Sequence, residues 1–208
     1  MLFKDIPGNK FIKQRLINSV KKNRIAHAQL FCGPKGSATL ALALSYARYI
    51  NCDNKQPEDS CGFCASCKKY SALQHPDLHL VFPIIKSNKT KITTSDNYLS
   101  EWRSFVLTNP YSSIQDWVEV LKNENKSGQR GMIYKDQAYS INEKIRLKSY
   151  ESKYKVVLIW CAEQMNKESS NKLLKLIEEP PKQTIFLLTT KNKTKILKTV
   201  LSRLQITH

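Results

Sequence analysis

Residues Ala28 to Ile50, AQLFCGPKGSATLALALSYARYI, constrain the fold more than any other stretch: a short apolar run, a Gly-Pro-Lys-Gly turn and an Ala/Leu-rich segment. They read as strand, tight loop and helix, the frame in which glycines turn backbone amides towards an anion at a helix N-terminus. The frame is present without its chemistry. With the pattern begun at Gly33, the second required glycine falls on Ala38, the phosphate-gripping lysine on Thr39 and the magnesium-binding hydroxyl on Leu40. Lys35 lies on the turn before the helix, not at the first helical position from which that lysine reaches the terminal phosphates. The sequence thus predicts a degenerate loop over 33–40, with Gly33, Gly36, Ala38 and Thr39 at its defining positions, and neither ATP nor magnesium bound there. Taken alone, the segment is equally compatible with an ordinary glycine turn between a strand and a helix.

The cysteines carry the most specific signal. Cys52, Cys61, Cys64 and Cys67 are spaced C-x8-C-x2-C-x2-C in a polar stretch over 51–70 that has little to bury. Four thiolates so placed can surround one zinc ion at about 2.3 Å each, in a closed shell with no open position for catalysis. The expected role is structural. A disulfide pair is the competing reading, and the N-terminus MLFKDIPGNK, which lacks the apolar core of a secretory signal, argues against it. Cys32 and Cys161 end apolar runs and read as small buried hydrophobes. With four sulfurs available, His75 and His79 are expected to be structural rather than further ligands, and His27 receives no role.

A chain of 208 residues with 41% apolar content can build one α/β domain with an insertion, or two small domains. No apolar run is long enough to span a bilayer, so a cytoplasmic location is expected. The net charge of +17 would attract nucleic acid or an acidic partner, although a general bias towards Lys and Asn explains it as readily.

Along the chain, Phe11, Leu16, Ile17 and Val20 suggest a first helix with one buried stripe, capped by Asn9. LHLVFPII reads as a strand, and Trp102 to Leu107 and Ile114 to Leu121 as helices whose aromatics pack rather than stack on bases. Asn123 to Gly131 reads as a loop and Tyr139 to Leu147 as a helix. KVVLIW is a buried strand whose exit, in a phosphate-loop hydrolase, would carry an acid for magnesium; Trp160 and Cys161 stand there, and Glu163 comes later. Asn166 can cap the next helix, which carries Leu173, Leu174 and Ile177 inward and stops at Pro180 and Pro181. TIFLLTT is a further strand, followed by a basic segment. Strands alternating with helices imply a parallel sheet covered on both faces.

Together, RIAHAQLFCGPKG, the four-cysteine insertion, YKVVLIWCAEQMN, SSNKLLKLIEEPP, FLLTT and LSRLQ make a chain that resembles the clamp-loader ATPase-fold subunits of bacterial DNA polymerase III. The resemblance spans nearly the whole chain, with 86–135, an expected helical insertion, the least familiar part. It implies an AAA+-type phosphate-loop fold with a five-stranded parallel sheet flanked by helices, plus the zinc module. Within the family, the gamma or tau type keeps the full phosphate loop, whereas the delta-prime type commonly lacks it and retains zinc and a Ser-Arg-Cys element. Ser202 and Arg203 match that element and Leu204 departs from its cysteine, so the chain looks like delta-prime. The resemblance implies a non-hydrolysing subunit that helps load the sliding clamp and lends Arg203 in trans to a neighbouring ATPase subunit. Its implied partners are gamma/tau and delta, with the clamp and primer-template DNA reached through the complex. The family's lid and C-terminal collar domains are not in these 208 residues, so a piece of a longer protein is expected. Two rival readings stay open: an active ATPase of the same fold using Lys35 and Glu163, and a zinc-containing nucleic-acid binding module.

Overall fold

The computed structural model describes residues 1–85, 94–124 and 130–207. In chain order the elements are α1 (Lys10–Lys21), β1 (Ala28–Cys32), α2 (Thr39–Ile50), α3 (Ala65–Ser71) and β2 (Leu78–Val81). Then come α4 (Leu99–Thr108), α5 (Ile114–Glu124), α6 (Lys135–Arg146), β3 (Lys155–Ile159), α7 (Lys167–Glu178), β4 (Thr184–Thr190), α8 (Lys198–Leu201) and β5 (Gln205–Thr207). The five strands form one parallel sheet, as expected, and their order is β2-β3-β4-β1-β5. Among the described residues no helix is long and apolar enough to cross a membrane.

The register explains why the central strands are apolar on both sides. Val81, Ile159, Leu188, Leu30 and Ile206 align across the sheet and face one core with Ile141 and Ile145 of α6, Leu173 and Ile177 of α7 and Val200 of α8. The adjacent row, Leu80, Leu158 and Leu187, faces the opposite core, built with α1, α2, α4 and α5. A strand sandwiched in this way has no solvent face and loses its alternation. α2 lies under the sheet with every residue from Leu40 to Ile50 buried, which accounts for its lack of a polar stripe.

Several local expectations change. Phe11 is 80% exposed and Ile12 packs on the core in its place, since Ile12 and Leu16 share a helical face and Phe11 does not. Asn9 takes the cap position of α1 in a left-handed conformation, and its side chain makes no capping bond. LHLVFPII is strand only as far as Val81, because Pro83 has no N–H for a ladder. Ile84 instead exchanges two backbone bonds of 2.9 Å with Met132, an antiparallel bridge at the foot of the 86–135 segment. Within that segment residues 86–93 and 125–129, including most of the expected loop Asn123 to Gly131, lie outside the described residues. α6 begins at Lys135, earlier than expected.

The aromatics of α4 and α5 pack, as their spacing implied. The Trp102 ring stacks on Phe82 at 4.7 Å, Trp117 meets Phe82 edge-on at 5.5 Å, and Trp117 Nε1 donates to the Pro83 carbonyl at 2.7 Å. None of these rings is left to take a base. Asn166 caps α7 as expected, its Oδ1 accepting from the Ser169 N–H at 2.8 Å.

Candidate metal centre, the glycine turn and Arg203

α2 has a candidate site at each end. Beyond its C-terminus, Cys52, Cys61, Cys64 and Cys67 converge so that their sulfurs all lie within 4.8 Å of one another. Cys52 and Cys61 Sγ are 3.6 Å apart, and Cys61 and Cys67 Sγ 3.9 Å. A tetrahedron of sulfurs around one zinc-sized ion has edges of about 3.8 Å, so the spacing fits a metal ion. The chain builds this cluster from backbone turns: Cys61 N–H donates to Cys52 Sγ at 3.3 Å, Cys64 N–H to Cys61 Sγ at 3.4 Å and Cys67 N–H to Cys64 Sγ at 3.3 Å. Gly62, at φ +87°, makes the sharp bend between them. Burial pushes the Cys52 thiol up to about 12. Cys61 is held down to about 6, where burial is outweighed by the N–H groups of Cys64 and Phe63 that face its sulfur. Four sulfurs this close cannot all ionise unless a cation shares the space. The set has the donors and the spacing to hold a metal ion.

The surroundings are wired to the cluster. Arg48, buried on α2, donates to the carbonyls of Met1 at 3.0 Å and Gly62 at 3.2 Å. Asp59 accepts from the N–H groups of Phe3 at 3.1 Å and Lys4 at 2.9 Å. Neither His75 nor His79 belongs to the cluster. The His75 ring packs tilted against Tyr70 at 4.5 Å and its Nδ1 accepts from the Asp77 N–H at 3.1 Å, a structural role as expected.

At the N-terminus of α2 the glycine turn keeps its shape through contacts of its own. Gly33 N–H donates to the Thr190 carbonyl at 3.2 Å, Ser37 N–H to the Pro34 carbonyl at 3.0 Å, and Gly36 sits at φ +81°. A Cβ on Gly33 would stand 2.5 Å from Ser37 Oγ. Ala38 precedes the helix, Thr39 is its first residue and Leu40 is buried, so none of the three supplies a cation or a free hydroxyl in the missing positions. The connection from Pro110 to Ile114 and Trp160 meet one side of the turn around a small cleft of about 50 Å³. That holds a few waters, well short of the several hundred Å³ of an ordinary ligand site. A wider, mostly apolar cleft of about 540 Å³ opens against the same turn, lined by Gly33, Ser37 and Thr39 together with Phe31, Leu42 and Lys191.

At the exit of β3, Cys161 adopts φ +56°, and its N–H donates to Thr189 Oγ1 at 3.2 Å. Burial pushes its thiol well above the usual range. The Glu163 carboxylate is buried with no hydrogen-bond partner among the described residues. Lys35 lines the small cavity and Glu163 does not, so the pair required by the active-ATPase reading is not brought together there.

Arg203 follows α8 and is paired on its own surface. Its Nη2 lies 2.6 Å from Glu178 Oε1, and Nη1 donates to the Thr199 carbonyl at 2.8 Å and to Ser202 Oγ at 3.2 Å. Sequence reasoning missed Glu178, whose only signal was its place within the LIEEPP stretch, and read TNPYSS as the break between two helices without placing it against the glycine turn.

Residues 8–208 match the family model described as DNA polymerase III, delta subunit. The chain is 30% identical to the DNA polymerase III subunit delta' of Bacillus subtilis over 93% of its own length and 45% of that relative. It is 27% identical to the subunit tau of the same organism, over 98% of this chain and 28% of the relative. It therefore spans less than half the length of these relatives. Among solved structures it is similar to a DNA polymerase III gamma subunit-related protein of Thermotoga maritima, with a TM-score of 0.54, 14% identity, and coverage of 94% of this chain and 44% of that one. At that identity the likeness concerns the fold, an AAA+-type domain. With the family model matched over all but its first residues, the chain belongs to the DNA polymerase III delta-subunit family.

Proposed function

We propose that this chain acts as a delta-prime-type, non-hydrolysing subunit of a bacterial clamp loader. In this reading it binds no ATP or magnesium itself and works beside gamma/tau and delta subunits, meeting the sliding clamp and primer-template DNA through the complex. The observation that carries the reading is a selective loss. Ala38, Thr39 and Leu40 stand where a phosphate loop needs glycine, lysine and hydroxyl, and Trp160 stands where a magnesium-holding acid is needed, while Ser202 and Arg203 are retained. Arg203 would act as an arginine finger, placing a guanidinium on the phosphoryl group held by a neighbouring subunit, with Ser202 beside it as part of the same element. Such a finger is worth roughly a thousandfold or more in rate. The ion held by the four cysteines is zinc, in a structural role, because an all-thiolate closed shell suits zinc and leaves no position for substrate.

The expected result of calorimetric titration with ATP and magnesium is no binding by the isolated chain. In a reconstituted loader, Arg203→Ala lowers DNA-stimulated ATP turnover without unfolding the subunit. Turnover by the isolated chain would instead favour the gamma/tau type, to which the 27% identical tau relative belongs.

A further inference from the structure

We propose that Glu178 is the positioning residue for Arg203, holding the guanidinium in the orientation that it presents to a neighbouring subunit; the inference rests on the finger reading above. Glu178 is the last residue of α7, the negative end of that helix, where a carboxylate is disfavoured unless a cation answers it. Arg203 answers it at 2.6 Å. The two side chains are similarly half-exposed, 38% and 40%, so the pair sits at the surface, where a neighbour can reach it.

The donor geometry leaves the finger usable while it is held. Nη1 is engaged by the Thr199 carbonyl and Ser202 Oγ, and one edge of Nη2 by Glu178. A guanidinium carries five N–H groups in a rigid fork, so among the described residues Nε–H and the second Nη2 N–H are left for a phosphate oxygen. α8 has only four residues and is a weak anchor alone. α7 is a twelve-residue helix packed on the sheet, so the bond to Glu178 transfers the rigidity of the sheet to the arginine. A long side chain fixed beforehand does not have to be ordered at the moment of phosphoryl transfer.

The test uses a loader reconstituted from gamma-type ATPase subunits and the full-length protein bearing this chain. Glu178→Ala is expected to lower DNA-stimulated kcat on the order of tenfold with KM for ATP unchanged. Glu178→Gln, which keeps an acceptor and loses the charge, falls between the variant and the parent. In an Arg203→Ala background neither change has a further effect. Melting of the subunit and its co-elution with the loader stay as in the parent, and if Glu178→Ala fails to assemble, Glu178→Gln carries the comparison. An unchanged or raised kcat in the Glu178 variants would overturn the inference, a rise meaning that the carboxylate withholds the arginine. A loss that persists in the Arg203→Ala background would overturn it too. If Arg203→Ala itself is silent, the finger reading fails instead.

Discussion

The two ends of α2 make the informative comparison. At its C-terminus the cysteine loop has kept every donor that its chemistry requires, with four sulfurs within 4.8 Å. At its N-terminus the glycine turn is built from backbone contacts, and in the proposed reading Ala38, Thr39 and Leu40 occupy the places of the reacting groups. A metal shell closes only when all its ligands are present, so losing one removes the reason for the others. The turn is different: Gly33 is tied to Thr190 and Ser37 to Pro34 by bonds of its own backbone. Such a turn can hold its outline without the side chains of a phosphate site.

Metal removal is the largest disturbance that this comparison predicts. Chelation, or Cys67→Ala, is expected to withdraw local stabilisation on the order of 10 kcal/mol from the loop. Amide exchange would show residues 52–67 opening while β1, β3 and β4 stay protected; a loop as protected without metal as with it would erase the contrast between the two ends. Next in size is Gly33→Ala. The new methyl would meet Ser37 Oγ at 2.5 Å, and overpacking of this kind costs about 2 kcal/mol, read from the urea midpoint. No cost would mean that the turn is slack and needs a ligand to define it. The smallest effect is expected from putting the lost residues back. Ala38→Gly with Thr39→Lys should leave calorimetric ATP binding undetectable, because Leu40 still lacks the hydroxyl and Trp160 the carboxylate that would hold magnesium. Micromolar binding by that double variant would show that two side chains alone separate this turn from a working one.

Much of this was legible in the sequence for reasons that are local. Strands β3 and β4 announce themselves as unbroken apolar runs, the cap of α7 is one asparagine, and a cysteine spacing is a ligand set written in a line. What was misread depends on angle or on distant chain. Phe11 and Leu16 lie five positions apart, about 140° around a helix, so they cannot share a buried stripe. The partnership of Glu178 with Arg203 and the approach of Pro110 to Ile114 to the glycine turn bring together segments that nothing periodic links.

The bonds from Asp59 to Phe3 and Lys4, and from Arg48 to Met1 and Gly62, join two stretches far apart in the chain into one small unit. Anyone transplanting the cysteine loop between relatives would have to move the first six residues and Arg48 with it. A graft cut only at the loop's own boundaries would arrive without the hooks that seat it.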